Sequence, residues 1–494
     1  MNTIGPDGIY SIKKIKNKRY LSIIFKTDQE KTVRNKFQKN FKIRHKNEIE
    51  FICACNHKNA VILRKVFPFT APKPLGLKSA FGMGCRTGWA YGNVAMAMLA
   101  TKLKVPVILA QQSAREIERT GRSFVDVVDT ATWAAFEAKL NIPWGADGDH
   151  LKTKEQVKKA FLAGCTYFTY DPSDYIQNEI DGKKIEELYI NELERTFKAS
   201  IPLKIGKKLL KFYSGMPFSI HGIKYNFTAE EVMRIAVKYY RAIDNVSELY
   251  KVTKMLKGNE PFDAEISIDE TETETTTLAL IFISSELVKR KIEFIGIAPR
   301  FIGNFEKAID YYSYIDSNTG EKVMNLKDFN NKLKEIVAVA KYFNYKISVH
   351  SGSDKFSIYP LLAKYAKGRI HVKTAGTSYL EELRVITLKS AKLFKDIYTF
   401  SRKQFEKDRA TYQLSTNTDN IPDITKLKSE KIFKLLASGS GNDDLRQVMH
   451  VTYGSVLKSQ KFFNRCKEVL LNNEEKHFSI LSKHLKKHIK TLKF

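Results

Sequence analysis

From residue 79 onward the chain alternates short apolar runs, each ending in a polar cluster, with longer stretches whose apolar positions recur at helical spacing. Eight runs fit this description: Ser79–Gly84, Val105–Ala110, Trp144–Asp149, Thr166–Asp171, Ala264–Asp269, Glu293–Ala298, Lys346–His350 and Ile370–Thr374. Eight strands separated by helices predict an α/β TIM (β/α)8 barrel. Helix starts are legible between them. Ser113 precedes AREIERTG, with Gly121 suited to the stop, and Thr153 with Gln156 fits a capping box before a helix ended by Gly164. Asp328 precedes FNNKLKEIVAVAKYF, apolar at helical intervals.

The pattern divides the chain. Residues 1–75 read as a small β-rich region with strands at Tyr20–Lys26, Glu48–Ala54 and Ala60–Phe67, closed by Pro68, Pro72 and Pro74. Residues 76–390 hold the barrel, and the gap after its fourth strand, 172–262, carries its own helical patterns such as Ala229–Tyr240 and so predicts an inserted helical subdomain. Residues 391–494 read as a mostly helical extension packed on the barrel, with one strand-like stretch at Val448–Tyr453.

In a TIM barrel the active site lies at the C-terminal ends of the strands. Here those ends carry Cys85-Arg86, Gln111-Gln112, Asp147-Gly148-Asp149-His150, Asp171, Asp269-Glu270, Pro299-Arg300, His350 and Lys373-Thr374. Alternation along the fifth, seventh and eighth strands sets Ile266, Ile268, Ile347, Val349, Ile370 and Val372 against the helices. It turns Glu265, Ser267, Asp269, Ser348, His350, His371 and Lys373 into the barrel. Histidines converging beside carboxylates suit a divalent ion: Zn²⁺, Mn²⁺, Co²⁺ or Ni²⁺. The ligands expected are Glu270, His350 and His371, with His150 next; a buried hydrogen-bonding role competes for His371, which lies deeper. Arg86, Arg115, Arg119, Arg300, Lys152, Lys355 and Lys373 around the mouth point to a small anionic substrate. Arg115, Arg119 and Arg122 are slightly better explained as a solvated helix face.

Charge and composition then narrow the class. The 494 residues carry 83 Lys+Arg against 54 Asp+Glu, a net +29, with 43% hydrophobic residues. Residues 13–46 hold thirteen Lys/Arg interleaved with Tyr20, Phe25, Phe37 and Phe41, a pattern that suits base stacking or small strands with aromatic inner faces. A basic nucleic-acid-binding protein is the alternative from a different class, but no finger or helix-turn-helix spacing supports it and a nucleic-acid partner is disfavoured. No apolar run of about 18 residues predicts a membrane span. The start lacks the order of a signal peptide, and five cysteines are too few for a disulfide scaffold, so a reduced cytoplasmic protein is expected. Association into a homo-oligomer is left open. Gly82-Met83-Gly84, the Cys53/Cys55/His57 group and Ser438–Gly441 lack the spacings of a dinucleotide loop, a zinc finger and a phosphate cradle.

Several segments resemble the tagaturonate/fructuronate epimerase family: FGMGCRTGWA (81–90), PVILAQQSAREIERTGRS (106–123), WGADGDHLKT (144–153), EISIDETETETTTLA (265–279), APRFIGNFEKAIDY (298–311), SVHSGSDKFSIYP (348–360), HVKTAGTSYLEELRV (371–385) and RQVMHVTYGSVL (446–457). The likeness runs from about residue 78 to the C-terminus and is weak over 1–70. Gly148 departs from the family's DADHLKT, as do the Met and Cys of the first segment. The resemblance implies a metal-dependent isomerase that interconverts D-tagaturonate and D-fructuronate at C4. Other metal-dependent sugar isomerases, ketohexose 4-epimerases or aldolases on the same barrel are the runners-up. The C4 hydrogen of such a sugar is not α to the C2 ketone, whereas the C4 hydroxyl is β to it. Retro-aldol cleavage between C3 and C4 is therefore the expected chemistry, ahead of oxidation and re-reduction by a nicotinamide. Asp149 or Asp171 is expected as acid/base, with Lys373 or Lys152 as electrostatic partner. Arg86, Arg300 or Lys355 is expected on the substrate carboxylate, and Gln111, Gln112, Ser351, Asp354 and Thr374 elsewhere on the substrate.

Overall fold

The computed structural model describes residues 2–88, 92–181, 187–215, 217–410 and 412–494; Trp89 and Ala90 of the first family-like segment, and parts of the 172–262 stretch, lie outside them. Eight parallel strands close into a barrel: Ala80–Gly82, Val107–Ser113, Trp144–Leu151, Tyr167–Tyr170, Asp263–Ile268, Gly296–Pro299, Lys346–Val349 and Ile370–Lys373. Closure is direct, since His371 pairs with Ala80 and Lys373 with Gly82 across the seam. Each of the eight apolar runs therefore supplies one strand, within a few residues at either end. The outward faces (Ile266, Ile268, Ile347, Val349, Ile370, Val372) join the large core beneath the surrounding helices.

The helix starts follow their sequence signals. Ser113 accepts from the Glu116 amide, and Gly121 ends that helix at φ +66°. Thr153 and Gln156 form the capping box of Lys154–Leu162. The helix read as starting after Asp328 begins earlier, at Leu326, where the Asn325 side chain accepts from the Lys327 amide and Asp328 becomes a first-turn acid. Helices Glu187–Ser200, Leu203–Ser214 and Ala229–Lys257 stand between the fourth and fifth strands.

Residues 3–54 form a five-stranded antiparallel sheet in the order Thr3–Gly5, Gly8–Ile15, Lys18–Lys26, Glu48–Ala54, Lys39–Arg44. Two strand readings are corrected. Ala60–Phe67 belongs to the helix His57–Val66, started by the Asn56 side chain, which accepts from the Asn59 amide. Ala60, Leu63 and Phe67 then share one buried face with Tyr10, Leu21, Phe25, Phe37 and Phe51. Two aromatics of the basic stretch (Phe25, Phe37) are thus core residues rather than stacking platforms, as is Tyr10 just before it. This core is completed by Trp133 and Phe136 of the barrel helix Phe124–Ala138. Val448–Tyr453 is likewise not a strand: helix Asp443–Val451 is followed by helix Tyr453–Lys458, and burial of Leu445, Val448, Met449 and Val451 outweighs their strand-like local pattern.

The C-terminal helix Glu474–Leu492 lies against the barrel helices Gly92–Leu103 and Thr377–Lys389. It buries Leu481, Leu485 and Ile489 together with His477, His484 and His488. Glu474 at its start pairs with Arg19 (2.6 Å) and Lys14 of the N-terminal sheet. No helix of the described residues is long and apolar enough to cross a membrane.

Candidate active site

The strand ends open into a cleft of about 620 Å³. Its centre is set by an irregularity in the third strand. Pairing with the fourth strand slips between Gly148 and Leu151, and His150 sits at φ +55°. A bulge of this kind re-aims side chains. Here Asp149 and His150 both reach the cleft instead of alternating away from it. Gly148 beneath them is required by packing, because a Cβ there would lie 2.8 Å from that of Ala160.

Residues from six strands converge on this point. The His150 and His350 rings are 4.9 Å apart. His150 Nδ1 lies 3.0 Å from Asp171 Oδ2, and its Nε2 lies 3.7 Å from Asp149 Oδ1. His350 is held by Asp269 at Nδ1 (3.0 Å) and Glu265 at Nε2 (2.8 Å). Gln111 donates to Asp149 Oδ2 (2.8 Å). Lys373 reaches up from the floor to Asp149 (2.7 Å), Glu265 (2.9 Å), Asp147 (3.0 Å) and Thr169 Oγ1 (2.8 Å).

These contacts set the electrostatics. Burial disfavours the charged forms, but Asp149 and Asp171 outweigh it and hold His150 up to about 10. Burial also works against the Asp269 carboxylate, and His350 overrides it, keeping the carboxyl well below its usual range. For Asp147 burial wins, helped by repulsion from Asp149 and Glu265, and the carboxyl rises to about 7 against the pull of Lys373. The cleft is lined by eight carboxylates against six Lys and Arg. A basic protein has thus assembled a cleft with an excess of acids.

The donor set fits a divalent cation. One ligand atom each from Asp149, His150 and His350 lies within 4.8 Å of the others, and the same holds for His150, Asp171 and Glu270. Two imidazoles and a carboxylate with room beside them suit Zn²⁺ and its neighbours. A second such group, Asp354, His484 and His488, does not fit. His488 Nδ1 faces the His484 carbonyl (3.0 Å), its Nε2 accepts from the Asp354 amide (3.0 Å), and Arg446 already neutralises Asp354.

Of the residues singled out in the sequence, Arg86, Gln111, Asp149, His150, Lys152, Asp171, Glu270, Arg300, His350, Ser351 and Lys373 all line the cleft. Several are already engaged. Arg86 pairs with Glu116 (2.6 Å), donates to the His450 carbonyl (3.2 Å) and lies 3.6 Å over the Tyr453 ring. Lys152 pairs with Asp174 and Arg115 with Glu270, at 2.6 and 2.9 Å.

Five others stand away from the lining. His371 is below it, beside Glu265 (3.2 Å) and the Tyr167 hydroxyl (3.2 Å). Gln112 accepts from Arg122 (2.7 Å), and Thr374 donates to the Gly82 carbonyl (2.6 Å). Asp354 faces Arg446, and Lys355 donates to the carbonyls of Glu306, Ile309 and Ser353. Arg119 donates to the Tyr412 hydroxyl (2.7 Å), so it and Arg122 are more than a solvated face. Lys307, Glu306, Tyr412 and Gln413 line the cleft from loops, where no periodicity marks them.

The family model described as tagaturonate epimerase matches residues 3–492. The tagaturonate/fructuronate epimerase of Thermotoga maritima is 40% identical over 444 residues, covering 90% of this chain and 86% of that one. The native crystal structure of the fructuronate-tagaturonate epimerase of Cohnella laeviribosi superposes with a TM-score of 0.89 at 29% identity, and a glycerol complex of it at 0.88 and 30%; each covers 99% of this chain and 95% of the other. The likeness extends through residues 3–77, where the sequence resemblance was weak. With matches over nearly its whole length and a cleft of converging histidines and carboxylates, the chain belongs to the tagaturonate epimerase family.

Proposed function

We propose that this enzyme interconverts D-tagaturonate and D-fructuronate by inverting C4, through metal-assisted retro-aldol cleavage and re-addition. The observation that carries the reading is the meeting of His150 and His350 with acidic side chains in a cleft lined by more carboxylates than cations. Such a set calls for a dication and leaves room for a sugar acid. His150 and His350, with Glu270, which shares a close group with His150, would hold the ion, and the ion would supply Lewis acidity to the substrate.

The chain's own residues handle the protons. Asp149 and Asp171 flank the two nitrogens of His150. One carboxylate takes the proton of the C4 hydroxyl as the C4 carbonyl forms. The C3–C4 bond breaks, and its electron pair passes into the C2–C3 enediolate. The three-carbon aldehyde acid turns about its bond to C5 and presents its other face. C3 re-adds to it, and the proton taken up in the first step, handed on to the second carboxylate, returns to the new C4 oxygen. Lys373 keeps Asp149 ionised, and Gln111 fixes its orientation.

The test is metal analysis of purified protein combined with incubation on fructuronate and tagaturonate, before and after chelation and with [4-²H]fructuronate. The expected result is interconversion that is lost with the metal and restored by it, with deuterium retained at C4. Loss of the deuterium to solvent would exclude retro-aldol chemistry. Retention of both metal and turnover in His350→Ala would remove His350 from the ligand set.

A further inference from the structure

Two cleft cations, Lys307 and Arg300, have no carboxylate of their own among the described residues. Lys307 lines the cleft, and its ammonium contacts the Ser351 hydroxyl at 2.5 Å; among the described residues no acid pairs with it. Arg86, Arg115, Lys152 and Lys373 all have acidic partners. Both Lys307 and Ser351 are placed by strained, heavily braced backbone. Ala308 (φ +66°), Ser351 (φ +50°) and Asp354 (φ +63°) all adopt the left-handed region without being glycine. Such conformations persist only where the surroundings enforce them.

The bracing of residues 306–309 is explicit. Lys355 donates to the Glu306 carbonyl (2.8 Å) and the Ile309 carbonyl (2.6 Å), on either side of Lys307. Arg446 donates to the Ala308 carbonyl (2.9 Å). The Glu306 carboxylate accepts from the Ser415 amide (2.9 Å) and from Gln447 Nε2 (2.6 Å). A buried lysine, a buried arginine and a stretch of the C-terminal extension thus aim one short turn. Fixing a flexible lysine this thoroughly is wasted on a solvated surface charge and useful for a ligand.

We propose that Lys307, with the Ser351 hydroxyl beside it, binds the C6 carboxylate of the hexuronate and is what separates a sugar acid from a neutral ketohexose. This rests on the substrate class proposed above. The Ser351 oxygen accepts from Lys307, which leaves its hydrogen free to donate to the same carboxylate. Arg300 is the competing candidate, and its backbone is held differently, its amide donating to the Thr275 hydroxyl (3.0 Å).

Calorimetric titration of metal-loaded wild type, Lys307→Met, Lys307→Arg and Arg300→Met with D-tagaturonate and with D-tagatose, which carries a hydroxymethyl in place of the carboxylate, tests it. Loss of one charge-assisted hydrogen bond predicts tagaturonate binding weaker by roughly 10–100-fold in Lys307→Met, with tagatose binding within about twofold of wild type and Lys307→Arg in between. Equal weakening of both sugars, no weakening of either, or a selective loss confined to Arg300→Met would overturn the assignment. Unaltered thermal midpoints show that the variants fold. Wild type that neither binds nor converts tagaturonate would instead overturn the substrate reading, whatever the variants do.

Discussion

Arg446 offers the most demanding energetic test of the fold. Its side chain is fully buried, and it ties three regions together: the Ala308 carbonyl of the cleft turn (2.9 Å), the Leu436 carbonyl and the Asp354 carboxylate. In Arg446→Met the volume is nearly kept, but all five donors go. Asp354, itself 2% exposed, is left as a buried charge facing only His484 and His488. Breaking a buried ion pair from one side costs about 3–5 kcal/mol. Two carbonyls that lose a donor add about 1–3 kcal/mol each where water does not replace it, so the lower bound of about 3 kcal/mol is the safe expectation.

The pH dependence gives a second reading. Burial pushes the Asp354 carboxyl up, but Arg446 first and then His484 and His488 pull it well below the usual carboxylate range. A carboxyl depressed in the folded state stabilises the protein above its unfolded value of about 3.9, and that contribution fades as pH falls toward the folded value. In Arg446→Met the folded value rises and the contribution shrinks. The variant's deficit is therefore largest near neutral pH and narrows as pH falls through about 4. Urea denaturation followed by tryptophan fluorescence at pH 3.5 and 7 measures both. The double variant Asp354→Asn/Arg446→Met recovers part of the loss, since the orphaned charge is gone. A wild-type midpoint for Arg446→Met at pH 7, or strictly additive effects in the double variant, refutes the reasoning.

Two further expectations follow from packing and charge. Gly148→Ala places a methyl 2.8 Å from the Ala160 Cβ and destabilises by about 1–3 kcal/mol, with Ala160→Gly in the same chain restoring the denaturation midpoint; no loss, or no restoration, counts against the contact. Glu382, buried beneath Thr87, is raised to about 7, chiefly by burial. Its folded value exceeds the unfolded one, so stability falls as pH rises from about 4.5 to about 7 and then levels. Glu382→Gln removes that slope and gains up to about 3 kcal/mol at pH 8, and parallel pH–stability curves for the two proteins would contradict this.

The barrel and its floor were legible because period-two alternation survives in the fifth, seventh and eighth strands: it turned Glu265, His350, His371 and Lys373 inward, and the structure places each of them there. What alternation cannot express is depth. His350 and His371 lie on adjacent strands, yet one reaches the cleft and the other ends beside Tyr167 and Glu265 beneath it. The two misread strands fail for a related reason. Ala60–Phe67 and Val448–Tyr453 are apolar runs whose helical state is set by a cap or by burial among other helices, neither of which a short window records. Lys307 was illegible because its meaning lies in what it lacks among the described residues, an acidic partner, and in a turn held by residues up to 141 positions away.

The bracing of that turn also sets an order of events. Arg446 and Gln447 grip residues 306–308, and His488 accepts from the Asp354 amide, so parts made late in synthesis hold parts made early. A ribosome adding about 5–20 residues per second has finished all eight strands well before residue 488 is made. During that interval the barrel exists without the arms that aim its cleft. A nascent chain stalled after residue 440 would carry all eight strands but none of the groups of residues 446, 447 and 488 that brace the cleft turn and its neighbour.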